Sequence, residues 1–389
     1  MGFLELIGAR RRGSGITRLH SLLRLALPVA GAAIVASPLP AAIAADGSPR
    51  PADIRCIDGC AGRQTAAVGS KIAITGERLS NVSKVEFRAR SGSVAAMPSA
   101  ADRHRVTVAV PAGALGGRPR VLARNGQAAR VPKVLRLVSR ARLPERSSFD
   151  LLDADLGPRR GFVDDGRTYR LRYRFRAYGA RTVRVRLLHS GDVVRRWKSR
   201  GALPYTSHRI DWHGVLENGR PAPPGRYRFT VKSPHHKPVP ADRLRLLGGK
   251  FPVRGRHGYG GPVQRFGAPR SGGRVHQGQD VFAACGTGVV AARGGRVQAR
   301  GSDPVLYGNW VVIDARGTRT DYRYAHFLHP ASVHQGDRVR TGDEVGLIGK
   351  TGNARSVGCM LHFEVWPHGW NRGSPVDPLP TLKRWDGWS

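Results

Sequence analysis

Acidic residues are scarce in this chain: 27 Asp and Glu stand against 65 Lys and Arg, leaving a formal net charge of +38 over 389 residues. Such a balance argues against cationic partners and favours polyanions. Long apolar runs are missing after the N-terminal segment, so nothing later in the chain can cross a membrane, which takes about 20 apolar residues as a helix. Helical periodicity is missing from the same region, and the short alternating runs that replace it predict an all-β protein. Cysteine is sparse. The four residues include no Cys-x-x-Cys spacing, which weighs against a structural zinc knuckle. Cys56 and Cys60 bracket Ile-Asp-Gly, a loop that a disulfide can close in an oxidising compartment.

What is present at the N-terminus points to such a compartment. Arg10, Arg11, Arg12, Arg18 and Arg24 precede an apolar run from Leu25 to Ala36, and Ala42-Ile43-Ala44 fits a small-residue cleavage site. Residues 1–44 are therefore expected to be a signal peptide. An uncleaved anchor is the alternative, although Pro28 and Pro38 interrupt the run. The about 345 residues that remain suit two or three domains. A secreted or wall-associated chain of this charge meets anionic wall polymers before nucleic acid, so nucleic acid is not the expected partner.

Near the C-terminus, His276-Gln-Gly-Gln-Asp280, Tyr324-Ala-His326 and Met360-Leu-His362-Phe-Glu364 follow one another in a Gly-rich, strand-like region. Two imidazoles and a carboxylate from His276, Asp280 and His362 form a zinc-type donor set that leaves a fourth position open, as a hydrolase requires. From Phe251 onward the order of these motifs resembles the lysostaphin/LytM-type zinc endopeptidases, which cut peptide crosslinks of peptidoglycan. Tyr307-Gly-Asn-Trp-Val-Val-Ile313, Tyr322-Arg-Tyr-Ala-His326, Gly336-Asp-Arg-Val339 and Gly346-Leu-Ile-Gly-Lys-Thr-Gly352 carry the resemblance further. It implies an antiparallel sheet folded into a groove, zinc held by His276, Asp280 and His362, peptidoglycan as partner, and His326 as a histidine that assists the water or the oxyanion.

One position departs from the family pattern. The terminal motif is normally His-x-His, and its first histidine is here Met360. Residues i and i+2 of a strand share a face, so Met360 is expected to point into the same cleft as His362, with Leu361 in the core. A thioether moves no protons. The departure leaves two readings: an enzyme slowed or supplied with a substitute from His329, His334 or His368, and a zinc domain that binds peptidoglycan or regulates another hydrolase. If the Asp280 and His362 strands adjoin, Cys285 and Cys359 are placed to form a disulfide.

Before this domain, residues 51–138 contain short strands with turn punctuation, including the hairpin signal Asn125-Gly126. Gly69, Ile74-Thr-Gly76, Val85-Glu-Phe87 and Val108-Ala-Val-Pro111 resemble an IPT/TIG immunoglobulin-like module. Residues 147–247 form a second expected sandwich, in which Tyr169-Arg-Leu-Arg-Tyr-Arg-Phe-Arg176 alternates apolar and arginine residues. Asp211-Trp-His-Gly214 and Pro224-Gly-Arg-Tyr-Arg-Phe229 resemble the immunoglobulin-like domain of flagellar hook-capping proteins. Arg170, Arg172, Arg174 and Arg176 are expected on one exposed face, with Arg184 and Arg186 on a neighbouring strand. Ser233 to Arg243 reads as a loop or hinge ahead of the zinc-type domain at residues 251–389.

Overall fold

The computed structural model describes residues 47–389, so the expected signal peptide lies outside the described residues. Strands dominate, as the period-two patterning predicts. No helix among the described residues is long and apolar enough to cross a membrane. Three separate apolar cores succeed one another along the chain.

The first core lies between a five-stranded and a four-stranded sheet. The strand Thr65–Glu77 lies at the centre of the larger sheet, pairing with Arg50–Gly62 on one side and Arg105–Ala109 on the other. Ile54, Ile72, Ile74, Val106 and Val108 meet Val85, Phe87 and Val121 in a fully enclosed interior. Cys56 and Cys60 form the expected disulfide. The loop they close docks on the second unit, where the Cys60 N–H donates to the Tyr178 carbonyl at 2.8 Å and the Ala180 N–H to Ile57 at 3.1 Å.

The second core lies between the three-stranded sheet Phe149–Gly157, Tyr169–Ala177, His208–Trp212 and a five-stranded sheet. Tyr169, Leu171, Tyr173 and Phe175 face Val183, Val185, Leu187, Tyr227, Phe229 and Val231, so alternation assigns every second residue to the interior. Two expectations change here. Arg184 and Arg186 do not neighbour the Arg170–Arg176 face, because the chain crosses to the opposite sheet after Ala177. Nor is Ser233–Arg243 a hinge: a turn leads into the strand Val239–Leu247, and Pro240 is accommodated where the register slips between Phe229 and Thr230.

The third core lies under a seven-stranded sheet with Met360–Trp366 and Asp321–Phe327 near its centre. Val281, Val311, Ile313, Tyr324, Leu361 and Phe363 point into this core. A short helix, Leu379–Asp386, was not legible from the all-β pattern: it makes barely two turns, and its anchors are Leu382 and Trp385 alone. Thr341 donates its N–H to the Asp164 carbonyl at 3.0 Å and Arg316 pairs with the Asp164 carboxylate at 3.3 Å, tying this unit to the one before it.

Candidate metal centre

Two adjacent antiparallel strands build the site. Gln279–Phe282 pairs with Met360–Trp366 in a register that sets Asp280 directly opposite His362. His276 enters from the preceding segment and crosses the His362 ring at Gly278. A side chain at Gly278 would meet His362 Nε2 at 2.9 Å, so only glycine permits this approach.

The three expected ligands converge. His276 Nε2 and His362 Nδ1 lie 2.9 Å apart, His362 Nδ1 and Asp280 Oδ1 also 2.9 Å, and His276 Nε2 and Asp280 Oδ1 3.2 Å. Donors around a tetrahedral zinc sit roughly 3.3 Å from one another. A spread of a few tenths of an ångström would bring the triangle to the spacing of tetrahedral donors, and two nitrogens with one oxygen are a donor set that could hold a metal ion of the zinc type. All three residues are buried.

The far edge of each ring is fixed by the protein. His276 Nδ1–H donates to the Arg265 carbonyl at 2.9 Å, which leaves Nε2 as the acceptor at the triangle. His362 Nε2 meets Glu364 Oε1 at 2.9 Å. Glu364 is fully buried, accepts the Trp366 indole N–H at 2.7 Å on its other oxygen, and lies 4.0 Å from the Arg323 guanidinium. That guanidinium rests 3.4 Å over the Tyr307 ring and 4.8 Å from Trp310. Burial alone would push the His362 imidazole down, but the Asp280 and Glu364 carboxylates hold it up at about 9. Burial pushes both carboxylates up, and the hydrogen bonds from the histidines reverse this, so each lies below the ordinary carboxylate range.

His326 reaches the same cleft by an unusual backbone route. It has a positive φ of 68° beside a register slip at the end of Asp321–Phe327, a bulge that turns its ring away from the sheet. The Nδ1–H donates to the Thr351 carbonyl at 2.9 Å, so Nε2 and its lone pair form the edge toward the cleft. Its ring centroid is 5.8 Å from that of His362. Burial, followed by the charge on His362, pushes its pKa down to about 4.

Met360 is buried and lines the same cleft of about 590 Å³, together with Tyr307, Gln277, His326 and the three donors. Leu361 packs in the core. His329, His334 and His368 do not line this cleft: His329 and His334 are exposed, and His368 borders a separate depression beside Asp314 and Arg372. None of them replaces the missing imidazole. Cys285 and Cys359 are joined, and Cys359 directly precedes Met360.

Sequence reasoning passed over Glu364 and Arg323. The two-residue period carried the signal for Glu364, which must share the face of Met360 and His362, while Arg323 emerges only from the register that sets it opposite Glu364. Glu364→Gln is expected to weaken zinc affinity by about 10- to 100-fold, because the carboxylate fixes the His362 ring and raises its basicity. Competition with a chromophoric chelator measures this, and an unchanged affinity would reduce Glu364 to a packing residue.

Residues 274–378 match the profile of Peptidase family M23. A 114-residue stretch, 29% of this chain and 35% of the relative, is 35% identical to a lipoprotein NlpD/LppB homolog from Pseudomonas aeruginosa. A 112-residue stretch, 28% of this chain and 30% of the relative, is 32% identical to a glycyl-glycine endopeptidase from Staphylococcus capitis. Among solved structures, the catalytic domain of lysostaphin from Staphylococcus simulans shows 29% identity and a TM-score of 0.29, covering 33% of this chain and 92% of that one. The chain spans about a third of the length of these curated relatives. With the matched segment holding the donor triangle, residues 274–378 constitute a peptidase family M23 domain.

Proposed function

We propose that this chain is a secreted cell-wall hydrolase whose C-terminal domain, residues 251–389, is a zinc metalloendopeptidase acting on peptide crosslinks of peptidoglycan. The convergence of His276, Asp280 and His362 carries this reading, with each imidazole anchored at its far nitrogen. The names of the relatives add support, since a peptidoglycan DD-endopeptidase of Vibrio cholerae is 32% identical over 114 residues, 25% of that protein.

Zinc held there supplies a Lewis acid and a water of lowered pKa. The remaining steps belong to the side chains. Because burial and the neighbouring charge keep His326 neutral near pH 7, its Nε2 can accept a proton in the cleft and return it to the leaving amine. The Thr351 carbonyl fixes which nitrogen does so. Tyr307, whose hydroxyl donates to Gln277 at 3.1 Å, offers a second polar group along the cleft wall. The sandwiches at residues 51–138 and 147–247 contribute no comparable cluster, and in this reading they hold the enzyme against the wall.

Met360 favours a second reading, in which the domain binds peptidoglycan or regulates another hydrolase. Zinc content, together with release of new amines from purified peptidoglycan, separates the two. One zinc per chain, with amine release that stops on chelation and returns with zinc, is the expected result. Stoichiometric zinc without amine release would leave binding as the function.

A further inference from the structure

Both outer faces of the second unit carry arginines, in opposite electrostatic settings. On the three-stranded sheet the cations face carboxylates across the strands. Arg174 pairs with Asp153, Arg176 with Asp150 at 2.9 Å, and Arg170 with Asp211 at 3.0 Å. This face is an internally neutralised ladder, with little charge left over for a partner.

The five-stranded sheet is different. Its order is Arg160–Phe162, Val239–Leu247, Gly225–Lys232, Arg181–His189, Asp192–Ala202. With Tyr227, Phe229, Val183 and Val185 in the core, the alternate residues point outward. The register then sets like charges opposite one another: Arg160 beside Arg245, Arg245 beside Arg226, Arg243 beside Arg228, Arg186 beside Arg196, and Arg184 between Lys198 and Lys232. Directly opposed like charges destabilise a sheet. Among the described residues, only Arg196 of this set has a carboxylate within 4 Å, Glu217 at 3.7 Å.

These cations do not cover the face evenly. At the Arg226 end they occupy the first three strands in the sheet order, and at the Lys232 end the last three. The two remaining corners hold no cation of the set: Leu188 lies opposite Val193 at one, and Pro240 opposite Thr230 at the other. The result is a diagonal track. With strands about 4.8 Å apart and about 3.3 Å per residue along them, it runs roughly 28 Å across the sheet.

We propose that this track docks a linear phosphodiester polymer of the bacterial wall, a polyol-phosphate chain. A narrow band suits an extended chain better than a flat lipid surface, and no large apolar side chain on this face is exposed for insertion into a bilayer. Arginine predominates, and its planar fork matches phosphate oxygens two at a time. Tyr227, Phe229 and Trp197 are turned toward the core, and although the Trp388 ring lies 5.8 Å from the Arg245 guanidinium, the face presents no row of rings on which successive nucleic-acid bases would stack. The choice of a wall polymer as the source of phosphate rests on the wall-hydrolase reading; the track itself does not.

The test uses the full protein and isolated polyglycerol phosphate over a series of salt concentrations. A variant carrying Arg186→Gln, Arg226→Gln, Arg228→Gln and Arg243→Gln is compared with a control of equal charge loss, Arg90→Gln, Arg118→Gln, Arg124→Gln and Arg130→Gln on the first unit. The track variant is expected to lose about tenfold or more in affinity near 0.1 M salt, with the log–log salt slope reduced by about three. The control should lose no more than about threefold. Equal losses in the two variants, or no binding of the polymer, would overturn the proposal. So would tighter binding of single-stranded DNA, or of phosphatidylglycerol vesicles, at matched phosphate. Cleavage of soluble crosslinked muropeptides is read in parallel. It is expected to be unchanged in the track variant, so a failure of the peptidase reading shows up separately from a failure of the track.

Discussion

His362→Ala is expected to remove the metal, to lower amine release from peptidoglycan by about 10³-fold or more, the equivalent of about 4 kcal/mol, and also to loosen the fold. The last effect distinguishes it from His276→Ala. His362 lies between two buried carboxylates and pairs with both: Asp280 meets its Nδ1 at 2.9 Å and Glu364 its Nε2 at 2.9 Å. Truncation removes an ion-pair partner from both at once, leaving Asp280 with His276 and Glu364 with the Trp366 indole and Arg323, and breaking a buried ion pair from one side typically costs about 3–5 kcal/mol. His276 touches Asp280 at 3.2 Å and a backbone carbonyl, so its removal leaves Asp280 still paired with His362. Both variants should therefore lose zinc and turnover, while thermal unfolding in chelator separates them, with His362→Ala melting well below His276→Ala. Amine release at the parental rate by either variant would sink the peptidase reading. Equal melting temperatures would show that the buried carboxylates find other partners.

The contrast shows what sequence could and could not display. The His276 and Asp280 motif is legible because both donors are local, and Gly278 between them signals a close backbone approach. The parity of Met360, His362 and Glu364 is equally legible, since a strand fixes which residues share a face. What parity does not show is the depth of the charged layer beneath the donors. Glu364 becomes a partner of His362 only because both are buried, and Arg323 joins them only because Asp321–Phe327 is the next strand in the sheet. The orientation of His326 depends on a bulge and a left-handed backbone at one residue, which no pattern of apolar positions encodes. The arginine faces illustrate the same boundary at larger scale. Alternation assigned Arg170–Arg176 to an exposed face, yet which sheet received Arg184 and Arg186, and whether aspartates lay opposite, were set by the chain crossing between sheets.

Met360→His is expected to raise turnover by about 10²-fold, the lower end of what a positioned general acid or base contributes. The geometry favours so large a response. Residue 360 is buried on the first position of the strand that carries His362, two residues away on the same face, and it lines the cleft with His326 and Tyr307. The neighbouring disulfide between Cys285 and Cys359 holds the start of that strand beside the Asp280 strand. An imidazole of similar bulk placed there gains a cleft that is already built, so the substitution should leave zinc content and melting temperature close to those of the parent. The readout is the rate of amine release from peptidoglycan at saturating zinc, measured for the parent, Met360→His, and Met360→His combined with His326→Ala. A gain that persists when His326 is removed places the new imidazole on the proton path; a gain that vanishes with His326 shows two histidines acting as a unit. An unchanged rate in Met360→His, with the parent already active, would mean that His326 alone moves the protons and that the thioether costs the enzyme nothing.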